Sequence, residues 1–61
     1  MKNLKQLRER SGYSQKELAE ILEVTQSFIS KLENNNVDCT VSFAKRVAYV
    51  LKTDLFKLIQ K

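Results

Sequence analysis

The sequence from Gln15 to Asn34, QKELAEILEVTQSFISKLEN, is the most informative segment of this chain. Its apolar residues follow the helical repeat on both sides of a short turn. A small residue, Ala19, falls where the helices on either side of that turn would touch. The spacing therefore predicts two short helices that cross through a tight turn and direct the following side chains inward: Leu18, Ala19, Leu22, Val24, Ile29 and Leu32.

Helical spacing continues outside this stretch, so the whole chain is predicted to be all-α. Residue types that cap helix starts precede most of the helical segments, and residue types that tolerate left-handed backbone follow some of them. The predicted caps are Ser14 (with Glu17 as a capping box), Thr25, Thr40 and Asp54, and the predicted stops are Gly12 and the asparagines at 34–36. The five predicted helices cover about residues 2–10, 15–22, 26–33, 41–51 and 55–60.

Length and composition restrict the chain to one small domain, residues 1–61. It has no proline and one glycine, which disfavours a turn-rich β fold. The single Cys39 excludes an internal disulfide and is expected to be a buried or half-buried apolar residue. A zinc site is implausible without histidine. Neither a leader segment nor a membrane-spanning apolar run is apparent, so we expect a cytoplasmic protein without membrane contact.

The charge pattern favours binding over catalysis. The formal net charge of +4 is compatible with a polyanionic partner. The carboxylates are scattered, histidine is absent and no glycine-rich phosphate loop occurs, so an enzyme is not expected. We also expect no cofactor and no metal.

The outward face of the third predicted helix carries the candidate functional residues. With Ile29 at the centre of the buried face and a step of about 100° per residue, Ser27 and Ser30 fall opposite it. Gln26 and Lys31 lie at the borders of this polar arc. Glutamine can bond adenine in a bidentate way, and lysine reaches O6 and N7 of guanine. Taken alone, such a surface favours a solvated helix face, as most polar helix faces are.

The run SQKELAEILEVTQSFISKLENN resembles the helix-turn-helix of the Cro and phage-repressor (XRE-type) family of DNA-binding proteins. The similarity extends over nearly the whole chain, from about Asn3 to Ile59, and places the helix-turn-helix motif at 15–34. It implies a compact five-helix domain that binds double-stranded DNA sequence-specifically. It further implies a transcriptional regulator, expected to be a repressor that binds a palindromic operator as a homodimer.

Roles for single residues follow from the resemblance and from the positions of the residues on the predicted helices. Arg8 in the first helix should form a structural ion pair with Glu33. Phe28 lies at the edge of the apolar arc, where it either packs inside or touches DNA. The candidate base-reading residues are Gln26, Ser27, Ser30 and Lys31, and the candidate DNA-backbone contacts are Ser14, Gln15, Lys16 and Asn34.

The chain departs from the family pattern at three places. Glu23 occupies the turn position usually held by glycine, so it either adopts left-handed geometry at a cost of about 1–2 kcal/mol or the turn is reshaped. Asn35 replaces the glycine that usually ends the third helix. Val37 and Asp38 stand in a loop that is often basic, so the contacts from that loop to the DNA backbone are either weaker or made by main-chain N–H groups at the start of the fourth helix.

Several large apolar residues fall off the predicted core stripes. In the fourth predicted helix, Val41 is predicted to face the core. The large apolar residues outside the core stripes suggest an interface between two copies of the chain, and these candidate dimer residues are Phe43, Val50, Phe56 and Ile59.

The alternative function is a protein-interaction module, for example an antitoxin or a restriction-system controller, that binds an unknown protein.

Overall fold

Five helices account for most of the chain. The computed structural model describes residue 1 and residues 3–59, apart from the side chain of Ile59. The all-α prediction is confirmed, since the described residues contain helices and turns and no strand. Lys2 and Gln60, the predicted ends of the first and fifth helices, lie outside the described residues. Asn3, predicted to be helical, is instead the N-cap residue that precedes α1, and the fourth helix ends one residue earlier than predicted. The helices are α1 (Leu4–Arg10), α2 (Gln15–Leu22), α3 (Gln26–Glu33), α4 (Val41–Val50) and α5 (Leu55–Ile59).

The predicted caps start α2, α3 and α4. The Ser14 hydroxyl accepts a hydrogen bond from the main-chain N–H of Glu17 at 3.0 Å, and the Glu17 carboxylate accepts one from the N–H of Ser14 at 2.9 Å. The hydroxyls of Thr25 and Thr40 each accept a bond of 3.1 Å from the N–H three residues later. Each cap satisfies a donor that the helix itself leaves unpaired, and its loss typically costs about 1 kcal/mol.

The core lies where α2 and α3 cross and where α1, α4 and α5 close over them. Five of the six residues predicted to face inward around the turn are buried, and Val24 is partly buried against them. Cys39 is half-buried, as expected, and desolvation raises the pKa of its thiol. Burial of each large aliphatic side chain contributes about 1.5–3 kcal/mol. The buried apolar residues are Leu4, Leu18, Ala19, Leu22, Ile29, Leu32, Ala44, Val47, Ala48, Leu51 and Leu58.

Helix α4 differs from its predicted packing at three residues. Val41, predicted to join the core, is 64% exposed because it lies in the first turn of α4, at the open side of a groove that Met1 and Leu55 also line. Phe43 and Val50, predicted to lie outside the core, are half-buried and pack against it. The side of α4 that packs against the core therefore includes Phe43 and Val50 and excludes Val41.

Among the described residues, four adopt left-handed backbone, each just after the end of a helix. Gly12 and Asn35 do so with φ of 84° and 59°, as their residue types predict. Glu23 has φ 60° and ψ 42°, so the turn between α2 and α3 keeps the geometry that glycine usually supplies. Lys52, after α4, has φ 54° and was not predicted from the sequence.

Glu23→Gly should therefore stabilise the protein. A left-handed residue with a Cβ costs about 1–2 kcal/mol, whereas glycine adds roughly 0.5–1 kcal/mol of backbone entropy to lose on folding. The difference leaves a net gain between about zero and 1.5 kcal/mol, and a gain of about 1 kcal/mol raises the Tm of a domain this size by roughly 4–8 °C. Glu20→Gly, at an exposed position inside α2, is the matched control and should lower the Tm. A Tm lowered as much as in Glu20→Gly would show that Glu23 carries no such strain.

Candidate nucleic-acid interface

Helix α3 combines a buried anchor with an exposed polar face. Ile29 and Leu32 are fully buried against α2, which fixes the rotation of α3 about its own axis. Gln26, Ser27 and Lys31 are exposed on the other side of the helix. Of the other two residues predicted to contact DNA from this helix and its end, Asn34 is exposed and Ser30 is half-buried.

The start of α2 presents main-chain and side-chain donors. The first N–H groups of a helix have no intrahelical acceptor and favour an anion. The capping box engages those of Ser14 and Glu17, which leaves those of Gln15 and Lys16. Lys16 is exposed, and Gln15 is half-buried. Hydrogen bonds from the main-chain N–H and the hydroxyl of Ser14 lower the pKa of Glu17, so this carboxylate is charged near neutral pH.

An ion pair beneath this surface joins α1 to the end of α3. Arg8 Nε donates to Glu33 Oε2 at 2.6 Å, and Nη1 donates to the carbonyl of Tyr13 at 2.8 Å. The side chains of Arg8 and Glu33 are 9% and 4% exposed. The ion pair expected between these residues is therefore present, and it is almost completely removed from water.

A hydrogen-bonded connection that the sequence analysis did not predict runs from this ion pair to the surface of α3. Gln15 Nε2 donates to Glu33 Oε1 at 2.9 Å, and Gln15 Oε1 accepts from Gln26 Nε2 at 3.4 Å. Sequence reasoning treated Gln15 only as a contact to the DNA backbone. Gln15 and Gln26 are the first residues of α2 and α3. This correspondence was the one feature of the sequence that could have indicated a hydrogen bond between them.

Phe28 belongs to an aromatic contact between α3 and α4. Its ring meets the ring of Phe43 edge to face, with 5.5 Å between centroids. The Arg46 guanidinium lies 6.0 Å from the centre of the Phe43 ring, and its Nη2 donates to the carbonyl of Leu22 at 3.4 Å. A cation suits this position because Leu22 is the last residue of α2. The half-buried Phe28 thus packs inside the domain and stabilises the position of α3.

The candidate interface residues on α4 and α5 have different surroundings. Phe56 is 71% exposed, whereas Phe43 and Val50 are half-buried. The side chain of Ile59 lies outside the described residues. Tyr49, which the sequence analysis did not select, is 85% exposed on α4. Large apolar groups are therefore exposed on these two helices, although the set differs from the predicted one.

Comparison with known proteins identifies the family. No described helix has the length and hydrophobicity needed to cross a membrane. A comparison with curated proteins finds no match. A family model described as helix-turn-helix matches residues 4–58, which include all of α1 to α4 and most of α5. Together with the capped α2–α3 pair and the polar outer face of α3, this match shows that the chain belongs to the Cro and phage-repressor (XRE-type) family of helix-turn-helix DNA-binding proteins.

Proposed function

We propose that the chain is a transcriptional repressor that binds a palindromic operator as a symmetric dimer and reads bases through α3. Membership of the family supports DNA binding and a role of the transcription-regulator type. The observation that carries the proposal is the polar face of α3, held in one orientation by the buried Ile29 and Leu32. The repressor role follows the family resemblance.

The residue types on this face suit direct reading of base edges. Gln26 lies in the first turn of α3 and carries both a donor and an acceptor, as bidentate contact with adenine requires. Lys31 extends from the same exposed side and can donate to guanine. Ser27 is small enough to let the helix approach the groove. Ser30 and Asn34 complete the proposed surface, with Asn34 toward the sugar-phosphate backbone.

The start of α2 supplies contacts that do not depend on sequence. Lys16 carries a positive charge beside the open N–H groups of the helix, the Gln15 amide adds a side-chain donor, and Ser14 lies next to them as the N-cap residue. The second N–H of the Gln15 amide stays free to donate to a phosphate, because its Nε2 has two hydrogens and one faces Glu33. These contacts orient the protein on the duplex without discriminating between bases.

The exposed apolar groups of α4 and α5 support dimerisation. A single recognition helix reads only a few base pairs, so useful affinity requires two protomers on two half-sites. The exposed Phe56, with Ile59 and the partly exposed Phe43 and Val50, is proposed as the surface through which a second copy binds. The same exposed groups favour a second candidate function, in which this surface binds a different protein.

Substitutions on α3 and α2 should affect DNA binding in different ways. Gln26→Ala and Lys31→Ala should each reduce affinity for the selected operator by about 1–3 kcal/mol and relax preference at one base position. Lys16→Ala should weaken binding to all duplexes and reduce its dependence on salt concentration. Fluorescence anisotropy on an operator selected from a randomised duplex pool, compared with a scrambled duplex, measures both effects.

The matched control is Lys5→Ala, which removes the same charge from an exposed position of α1. It should change neither base preference nor affinity by more than about twofold, as expected for one distant screened charge. Equal losses on the selected and scrambled duplexes for Lys31→Ala would overturn its role in reading bases. If the unmodified protein binds no duplex at low salt, the DNA-binding proposal itself is wrong.

A further inference from the structure

A chain of hydrogen bonds runs from the buried ion pair to the outer face of α3. We call its four side chains the relay: Arg8, Glu33, Gln15 and Gln26. The bonds have lengths of 2.6 Å from Arg8 Nε to Glu33 Oε2, 2.9 Å from Gln15 Nε2 to Glu33 Oε1, and 3.4 Å from Gln26 Nε2 to Gln15 Oε1. The relay begins at a carboxylate that is 4% exposed and ends at an exposed amide.

The buried carboxylate of Glu33 determines which group of each amide in the relay donates and which accepts. An ionised carboxylate only accepts hydrogen bonds, so the amide of Gln15 must turn its NH₂ toward Glu33. The oxygen of Gln15 then faces Gln26 and can only accept. Gln26 must in turn offer its own NH₂, because two amide oxygens facing each other would repel. A buried charge thereby fixes the orientation of an amide on the surface.

We infer that Glu33, acting through Gln15, sets which base Gln26 prefers. With one N–H given to Gln15, Gln26 presents its oxygen and its remaining N–H outward in a fixed order. That order matches adenine, which offers an acceptor at N7 and a donor at N6 in the major groove. Glu33 is thus a positioning residue for specificity toward an A·T pair. This inference rests on the proposed function, in which Gln26 reaches a base edge.

Reversal of the relay should reverse this preference. In Glu33→Gln the new amide must turn its oxygen to Arg8 Nε, since a guanidinium only donates and the Nε contact, at 2.6 Å, is much shorter than the 3.5 Å contact from Nη2 to Oε1. Its NH₂ then faces Gln15, which turns over and offers its own NH₂ to Gln26. Gln26 turns its oxygen inward and presents two N–H groups to the groove. Two donors match the N7 and O6 acceptors of guanine and no longer match adenine.

The experiment measures affinity at one base position with all four base pairs. The position is the one at which Gln26→Ala abolishes preference on an operator selected by the unmodified protein. There the unmodified protein should favour adenine over guanine by about 10-fold, the size of one bidentate contact. Glu33→Gln should lower this ratio at least 10-fold, and preferences at the other positions should stay unchanged.

The ratio of two affinities measured on one preparation does not depend on the fraction of folded protein. Gln15→Met provides a second test, because it interrupts the relay and leaves the ion pair of Arg8 and Glu33 in place. It should relax preference at the same position without a shift toward guanine, whether or not Glu33→Gln folds. An unchanged adenine-to-guanine ratio in Gln15→Met, or in a folded Glu33→Gln, would overturn the inference while the proposed function stands. If Gln26→Ala changes no base preference, base reading by Gln26 is wrong and the inference is wrong with it.

Discussion

Arg8→Ala should lower the free energy of unfolding by about 3–5 kcal/mol, because it leaves the Glu33 carboxylate buried without a counter-charge. The Glu33 side chain is 4% exposed, so solvent compensates its charge only weakly. The substitution also removes the donor to the carbonyl of Tyr13. A domain of 61 residues rarely gains more than about 3–5 kcal/mol from its core, so much of the variant should be unfolded at 25 °C. Urea denaturation followed by circular dichroism measures the loss.

Two control variants separate the buried charge from the loss of an arginine. Arg10→Ala removes a similar side chain from an exposed position of the same helix and should cost less than about 0.5 kcal/mol. The double variant Arg8→Met, Glu33→Leu removes both charges and should recover most of the stability lost in Arg8→Ala. A loss below 1 kcal/mol for Arg8→Ala would contradict the proposed cost of an unpaired carboxylate.

The helices and their caps could be predicted because local chemistry determines them. The hydroxyls of Ser14, Thr25 and Thr40 act within three residues of their own position, so their spacing suffices to locate helix starts. The core around Ile29 followed from helical periodicity for the same reason. The left-handed conformation of Glu23 was one of two predicted outcomes, and the choice between them required the structure.

The contacts between helices could not be predicted in this way. Whether Phe43 faces solvent depends on Phe28, fifteen positions away in the chain, whose ring covers it. Periodicity within α4 contains no information on that neighbour. The bond from Gln15 to Glu33 likewise depends on how α2 crosses α3, and a glutamine at either end of a helix is ordinarily a surface residue. The residues of the candidate site could therefore be proposed from the sequence, but the hydrogen bonds that connect them could not.

Phe56→Glu should reduce affinity for a full palindromic operator by about 10²–10⁴-fold, because it uncouples two protomers that bind neighbouring half-sites. Phe56 is 71% exposed on α5, so a charged side chain there meets water in the free protein and should not disturb the fold. In a dimer the same charge would be buried against a second copy, which is unfavourable without a partner charge. Affinity for a single half-site should stay unchanged, since α5 lies outside the proposed α2–α3 surface.

The comparison needs a variant with the same change in charge and no change in the proposed interface. Gln6→Glu adds one negative charge at an exposed position of α1 and should retain both affinities. Sedimentation velocity of the free proteins shows whether Phe56→Glu also shifts the weight-average mass toward the monomer.

If the unmodified protein is a monomer on half-sites and on full operators alike, the exposed apolar groups of α4 and α5 serve a different partner protein. If Phe56→Glu sediments and binds the full operator like its parent, a dimer exists but its interface lies away from Phe56, and the 85% exposed Tyr49 becomes the next position to substitute.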